Sequence, residues 1–142
     1  MVKLTRVCVQ GAYWMKRVVS LTIRLQESYE ITSDHLKICQ ILFSGTADGD
    51  YFHGEILPGA VDTQRIYPDG SGELSARYTL QGEDSQGNRC FVYIENEAVP
   101  GSNETRPNIV TDSPVLKWLA DADLCGRMQP AKDALVIDIY AK

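Results

Sequence analysis

Three side chains in one part of this sequence are the types from which proton chemistry on a small molecule can be built. Glu55 and Asp62 lie in Gly54-Glu55-Ile56-Leu57-Pro58-Gly59-Ala60-Val61-Asp62, and Arg77 lies in Leu74-Ser75-Ala76-Arg77-Tyr78-Thr79-Leu80. A carboxylate at the mouth of an apolar interior has its pKa raised by desolvation and can take a proton near neutrality. A guanidinium beside it binds a substrate carboxylate or stabilises an enolate oxygen. The competing reading is structural. Asp62 then caps the turn after Pro58-Gly59. Arg77 then bridges strands on an outer face, which it shares with Glu73, Ser75 and Thr79. Both readings stand at this level.

A second set could hold a ligand rather than react with it. Tyr78, Tyr93 and Trp118 offer aromatic surface with a polar handle, and Asn96 offers an amide. Their alternative roles are core packing for the rings and turn stabilisation for the amide. His53 and Glu55, two residues apart, share a strand face, but no third ligand accompanies them, so no metal site is expected. No Walker A loop, nucleophile elbow, His-Glu-x-x-His or dinucleotide fingerprint is present. No cofactor is implied.

The elements that must position these residues are strands. Leu74, Ala76, Tyr78 and Leu80 alternate with Glu73, Ser75, Arg77 and Thr79, a period of two. Residues 18–25 repeat the pattern with Val19, Leu21, Ile23 and Leu25. Residues 90–96 place Phe91, Tyr93 and Glu95 on one face and Val92, Ile94 and Asn96 on the other. Residues 36–43, 51–57, 62–67, 124–129 and 135–140 read as further strands. Pro58-Gly59 and Pro68-Asp69-Gly70 are turn signals that make residues 54–80 an antiparallel meander. Residues 26–34, 44–50, 81–89 and 98–107 read as loops. Ser113-Pro114 opens at most one short helix near residues 114–122. The expected fold is all-β, an antiparallel barrel of about eight strands. Such a barrel is either filled by side chains or holds one small ligand.

The stretch from Gly54 through Asp62, Asp69-Gly70 and Leu74 to Leu80 resembles the signature of an uncharacterised, mainly bacterial family known as domain of unknown function 3237. The resemblance extends from about Arg17 to the C-terminus. It departs from the usual pattern at Ala60, Thr63, Glu97 and Ala120, which makes this a divergent member. The resemblance implies a small antiparallel β-barrel and no particular activity.

The net charge of −5 lacks the basic footprint that nucleic-acid binding requires. No apolar run approaches the length of a membrane span, and the N-terminus is a poor signal peptide. A cytoplasmic location and no membrane partner are expected. Cys8, Cys39, Cys90 and Cys125 are widely spaced and read as free thiols. Residues 1–15 read as a peripheral arm, with Met15 as an alternative start, and residues 16–142 as one domain. Three functions compete. One is a barrel binding a small apolar or aromatic carbonyl or acid. Another is a cofactor-free isomerase, cyclase or lyase using Glu55, Asp62 and Arg77. The third is a homodimer formed through strand edges.

Overall fold

A computed structural model describes residues 4–5 and 15–142; the expected arm otherwise lies outside the described residues. Ten strands are formed among them: β1 (Leu4–Thr5), β2 (Met15–Thr32), β3 (Lys37–Asp48), β4 (Phe52–Ile56), β5 (Val61–Ile66), β6 (Gly72–Asp84), β7 (Arg89–Ala98), β8 (Glu104–Thr111), β9 (Leu124–Ala131) and β10 (Ala134–Ala141). All belong to one antiparallel sheet, in the order β1-β2-β10-β9-β8-β7-β6-β4-β3-β5. Two further pairings, β2 with β3 and β6 with β5, close the sheet on itself. Closure pairs the edges that an open sheet of this size would expose, except along β2 beyond Ile23 on its β10 side.

β4 and β5 fill a single position in the wall. Both run antiparallel to β3 on one side and to β6 on the other. Thr46 faces Glu55, so an unbroken ladder would carry Leu42 to residue 59; Leu42 in fact faces Val61, an insertion of two residues. Pro58-Gly59 therefore makes a bulge and not the reversal that the turn signal suggested. Gly59 supplies the positive φ of 103° that the bulge needs. Leu57 N still donates to Thr79 O at 2.8 Å, and Phe43 N to Ala60 O at 3.2 Å, so the wall stays sealed. Only Pro68-Asp69-Gly70 reverses the chain, with Ser71 N and Oγ both donating to Asp69 Oδ1. Counting β4 and β5 as one, and leaving out the two-residue β1 that pairs only with β2, gives eight positions around the barrel.

One end of the barrel is packed. Leu21, Phe52, Leu80, Val92, Ile94 and Ile109 meet there under a lid formed by Leu116 and Leu119. The lid is a single 3-10 turn, Lys117–Ala120. Ser113 Oγ caps its approach by accepting from Val115 N and Leu116 N, and donates to buried Asp84 at 2.7 Å. Asp84 also accepts from Gln86 N and Asn88 N, tying the β6–β7 hairpin to the lid. Gly54 and Gly82 face each other beneath it; a Cβ on Gly82 would lie 2.0 Å from His53 O, so only glycine fits.

Three segments and two smaller features depart from the expectations. Residues 26–32 continue β2 past a bulge, and their Tyr29 and Ile31 are exposed, at 57% and 69%. Residues 44–48 continue β3. Residues 104–107 begin β8, whose Pro107 faces Asn96. Cys39 and Cys90 are free thiols, but Cys125 is disulfide-bonded, contrary to the expectation of free thiols throughout. Met15, placed at the end of the arm by sequence, is a buried residue of β2.

Candidate functional site in the open half of the barrel

Alternation along β6 and β7 decides which side chains enter the lumen. Tyr78, Leu80, Ile94 and Asn96 are buried, so Ala76 and Leu74 share the inner face with them. Cross-strand register extends this face sideways. Ile41, Asp62, Ala76, Asn96 and Pro107 form one row across β3, β5, β6, β7 and β8. The next row toward the open end carries Cys39, Gln64, Leu74 and Ala98. Burial falls off in that direction: Ile94 is sealed, whereas Asp62, Gln64, Leu74 and Ala98 are only half-buried. The lumen is thus plugged at one end and opens to water at the other.

Three polar groups surround the methyl of Ala76. Asp62 and Asn96 flank it from two strands that lie roughly 10 Å apart. Tyr78, two residues along β6, sits diagonal to both, at a Cα spacing of roughly 7–8 Å. Between Asp62 and Asn96 the inner face of β6 carries only the methyl of Ala76. Asp62 Oδ2 accepts from Gln64 Nε2 at 2.9 Å. Desolvation raises the Asp62 pKa above the ordinary carboxylate value, and the Gln64 bond partly offsets this. The Tyr78 ring packs edge-on against Phe43, with centroids 5.2 Å apart. Burial pushes its phenol pKa up. The Tyr78 hydroxyl and Asn96 Oδ1 are buried, and no described group hydrogen-bonds to either.

The carboxylate–guanidinium group anticipated in the sequence does not assemble. Asp62 faces the lumen, whereas Arg77 and Glu55 are exposed on the outer face. Arg77 faces Val61 and Glu95 across its two neighbours, beside an outer trough bordered by Thr63, Arg65, Ser75, Glu97 and Arg106. The physical reason is the strand period: positions 76 and 77 must point to opposite sides. Of the proposed ligand-binding residues, Tyr78 and Asn96 face the lumen. Tyr93 faces outward and donates to Glu95 at 2.8 Å. Trp118 lies on the lid, edge-on to Tyr51 at 5.7 Å, with the Lys16 ammonium over both rings. His53 is exposed 3.7 Å from Glu83. Gln64, Ala76 and Phe43 were not singled out, although Gln64 and Ala76 each lie two residues from one that was. Among the described residues no group of three His, Cys, Asp or Glu is placed to hold a metal, and no helix is long and apolar enough to cross a membrane.

The fold and this inner row define a small closed antiparallel barrel with one packed end and a polar girdle at the other. The sequence profile of the family described as protein of unknown function, DUF3237, matches residues 15–104, and the chain belongs to that family. It is 32% identical over 128 residues to a UPF0311 protein of Clostridium acetobutylicum, covering 73% of this chain and 78% of that one. A crystal structure of a protein of unknown function from the same organism superimposes with a TM-score of 0.75 at 27% identity, over 89% of this chain and 97% of that one. A β-barrel-like protein of Acinetobacter baumannii shares the fold, with a TM-score of 0.74 at 22% identity over 89% of this chain and 94% of that one.

Proposed function

We propose that this protein binds a small, mainly apolar or aromatic carbonyl or acid compound in the open half of its barrel. The observation that carries the reading is the pair of buried, unpartnered oxygens on Tyr78 and Asn96. Leaving such groups without a partner costs about 1–3 kcal/mol each, and a ligand supplies what the protein does not. The phenol donates to a carbonyl or carboxylate oxygen, and Asn96 Oδ1 accepts from a hydroxyl or amine. Ile41, Phe43, Leu74 and Ala76 provide the apolar surface between them. Both oxygens are closed to water, so a ligand reaches them by turning aside a covering side chain after meeting Asp62 and Gln64 at the rim. A thermal-shift screen of small aryl ketones, phenols and aromatic acids tests this. A ligand that binds only the folded state raises Tm, and wild type should gain more from a hit than Asn96→Leu. Absence of any shift across the screen would remove the reading.

One observation favours a second reading, a homodimer. β10 covers β2 no further than Ile23, and residues 25–32 are all exposed, with no described strand on that edge. An uncovered strand of this length is a template for a second copy. A mass in light scattering that stays monomeric at every concentration would exclude it.

A further inference from the structure

We propose that the lumen is a proton-transfer site, in which Asp62 moves a carbon-bound proton of a small ketone while Tyr78 holds the oxygen of the resulting enolate. The inference rests on the binding reading above and adds chemistry to it.

The geometry supplies two different groups beside Ala76 on the inner face: Asp62 across from it on β5, and Tyr78 two residues along β6. Asp62 stands at the rim, half-buried, with one oxygen engaged by Gln64 and the other, Oδ1, receiving no bond from a described residue. Tyr78 stands deeper, with a hydroxyl that nothing in the described fold uses. A ring seated over Ala76 spans from one to the other. Its carbonyl then lies toward the phenol, and its α-carbon toward the carboxylate. In the forward step the Asp62 carboxylate takes the α-proton. The C–H electron pair becomes the C=C bond, and the carbonyl π pair moves onto oxygen, where the Tyr78 O–H hydrogen bond stabilises it. In the return step protonated Asp62 gives the proton back to the same carbon or to the far end of a conjugated system. The carbonyl re-forms and the phenol keeps its own proton. When the Asp62 carboxyl proton swaps with solvent between the two steps the sum is exchange of the α-hydrogen, and when it is delivered to the far carbon the sum is a double-bond shift; no oxidant or reductant is consumed.

Three features suit these groups to the task. Burial keeps the Tyr78 phenol protonated at neutral pH, as a donor must be. Burial also raises the Asp62 pKa, which makes its carboxylate a stronger base than a solvated one. Gln64 is a positioning residue: its amide fixes one carboxylate oxygen and moderates that rise. The titratable groups sharing this inner face are few. They are Cys39 and Lys37 of β3, with Lys37 ion-paired to Glu30 of β2 at 3.8 Å, and Tyr78 of β6; β7 contributes only Asn96. Arg77 and Glu95 point the other way.

The test follows loss of the α-proton signals of 2-tetralone, 1-indanone and cyclohexenone in D2O by NMR, with thermal shift run on the same compounds. Full-chain wild type should accelerate exchange of at least one ketone at least tenfold over buffer. Asp62→Asn should return the rate to background while the thermal shift survives, and Tyr78→Phe should lower the rate by about tenfold or more. The wild-type rate should rise with pH through one ionisation, and Gln64→Leu should move that ionisation upward. If a ketone raises Tm but Asp62→Asn exchanges it as fast as wild type, proton transfer is overturned and binding stands. If no ketone raises Tm or exchanges faster, both readings fall. Should Asp62→Asn not fold, a wild-type rate with no ionisation, or one that Gln64→Leu leaves in place, overturns the proposal.

Discussion

Replacing Tyr78 by phenylalanine separates what this side chain does for the fold from what it does for a ligand. The ring is 3% exposed, and its edge-on contact with Phe43 needs no hydroxyl. That contact is worth about 0.5–1.5 kcal/mol beyond area burial and survives the change. The hydroxyl has no partner among the described residues. An unmade bond of this kind costs about 1–3 kcal/mol, so removing the oxygen should stabilise the ligand-free protein by about 1 kcal/mol. For a chain of this length that raises Tm by about 3 °C. Scanning calorimetry on the two proteins at equal concentration gives the comparison, with guanidinium denaturation as a check that m is unchanged. The same variant should show a smaller ligand-induced rise in Tm than wild type, because the donor is gone. Higher intrinsic stability with weaker binding is the signature of a polar group kept for function. A Tm lowered by about 3 °C or more would show that the fold itself uses the hydroxyl, and the reasoning from its isolation would fail.

Four further outcomes are expected. Asn96→Leu should leave Tm within about 3 °C of wild type, since an unpartnered oxygen is lost, yet weaken a lumen ligand by about tenfold, or about 1.4 kcal/mol; isothermal titration measures this. Arg77→Ala, on the outer face, should leave ligand affinity unchanged in the same titration, and a large loss would place the site outside the barrel. Leu80→Ala, at a position 1% exposed in the packed end, should cost about 3–4 kcal/mol in chemical denaturation. Acid sensitivity should centre on Asp84, whose carboxyl Ser113 holds below the usual range. A lowered folded pKa contributes stability above the unfolded value of about 3.9, and that contribution is lost as pH falls through the folded one. Melting curves from pH 6 to pH 2 should therefore fall more steeply for wild type than for Asp84→Asn.

Strand alternation in the sequence determined much of this molecule. The two-residue period around Leu74–Leu80 and residues 90–96 assigned each side chain to a face, and Tyr78 and Asn96 lie on the inner one as that period requires. The same period already set Arg77 apart from Tyr78. Turn chemistry was half legible. Pro68-Asp69-Gly70 reverses the chain, but Pro58-Gly59 only bulges it, because a local dihedral preference does not say whether the flanking segments pair with each other or with common neighbours. β8 went unread, since Pro107 and the polar residues around it give no alternation in a loop-like composition. What tertiary structure alone decided is the row Ile41–Asp62–Ala76–Asn96–Pro107. Its members come from five strands, and the bulge at Pro58-Gly59 keeps Asp62 opposite Ala76. Register between strands distant in sequence is fixed by closure of the whole sheet, which no single segment encodes. The chain's own pattern chose the faces; the register between strands chose which residues stand level on them.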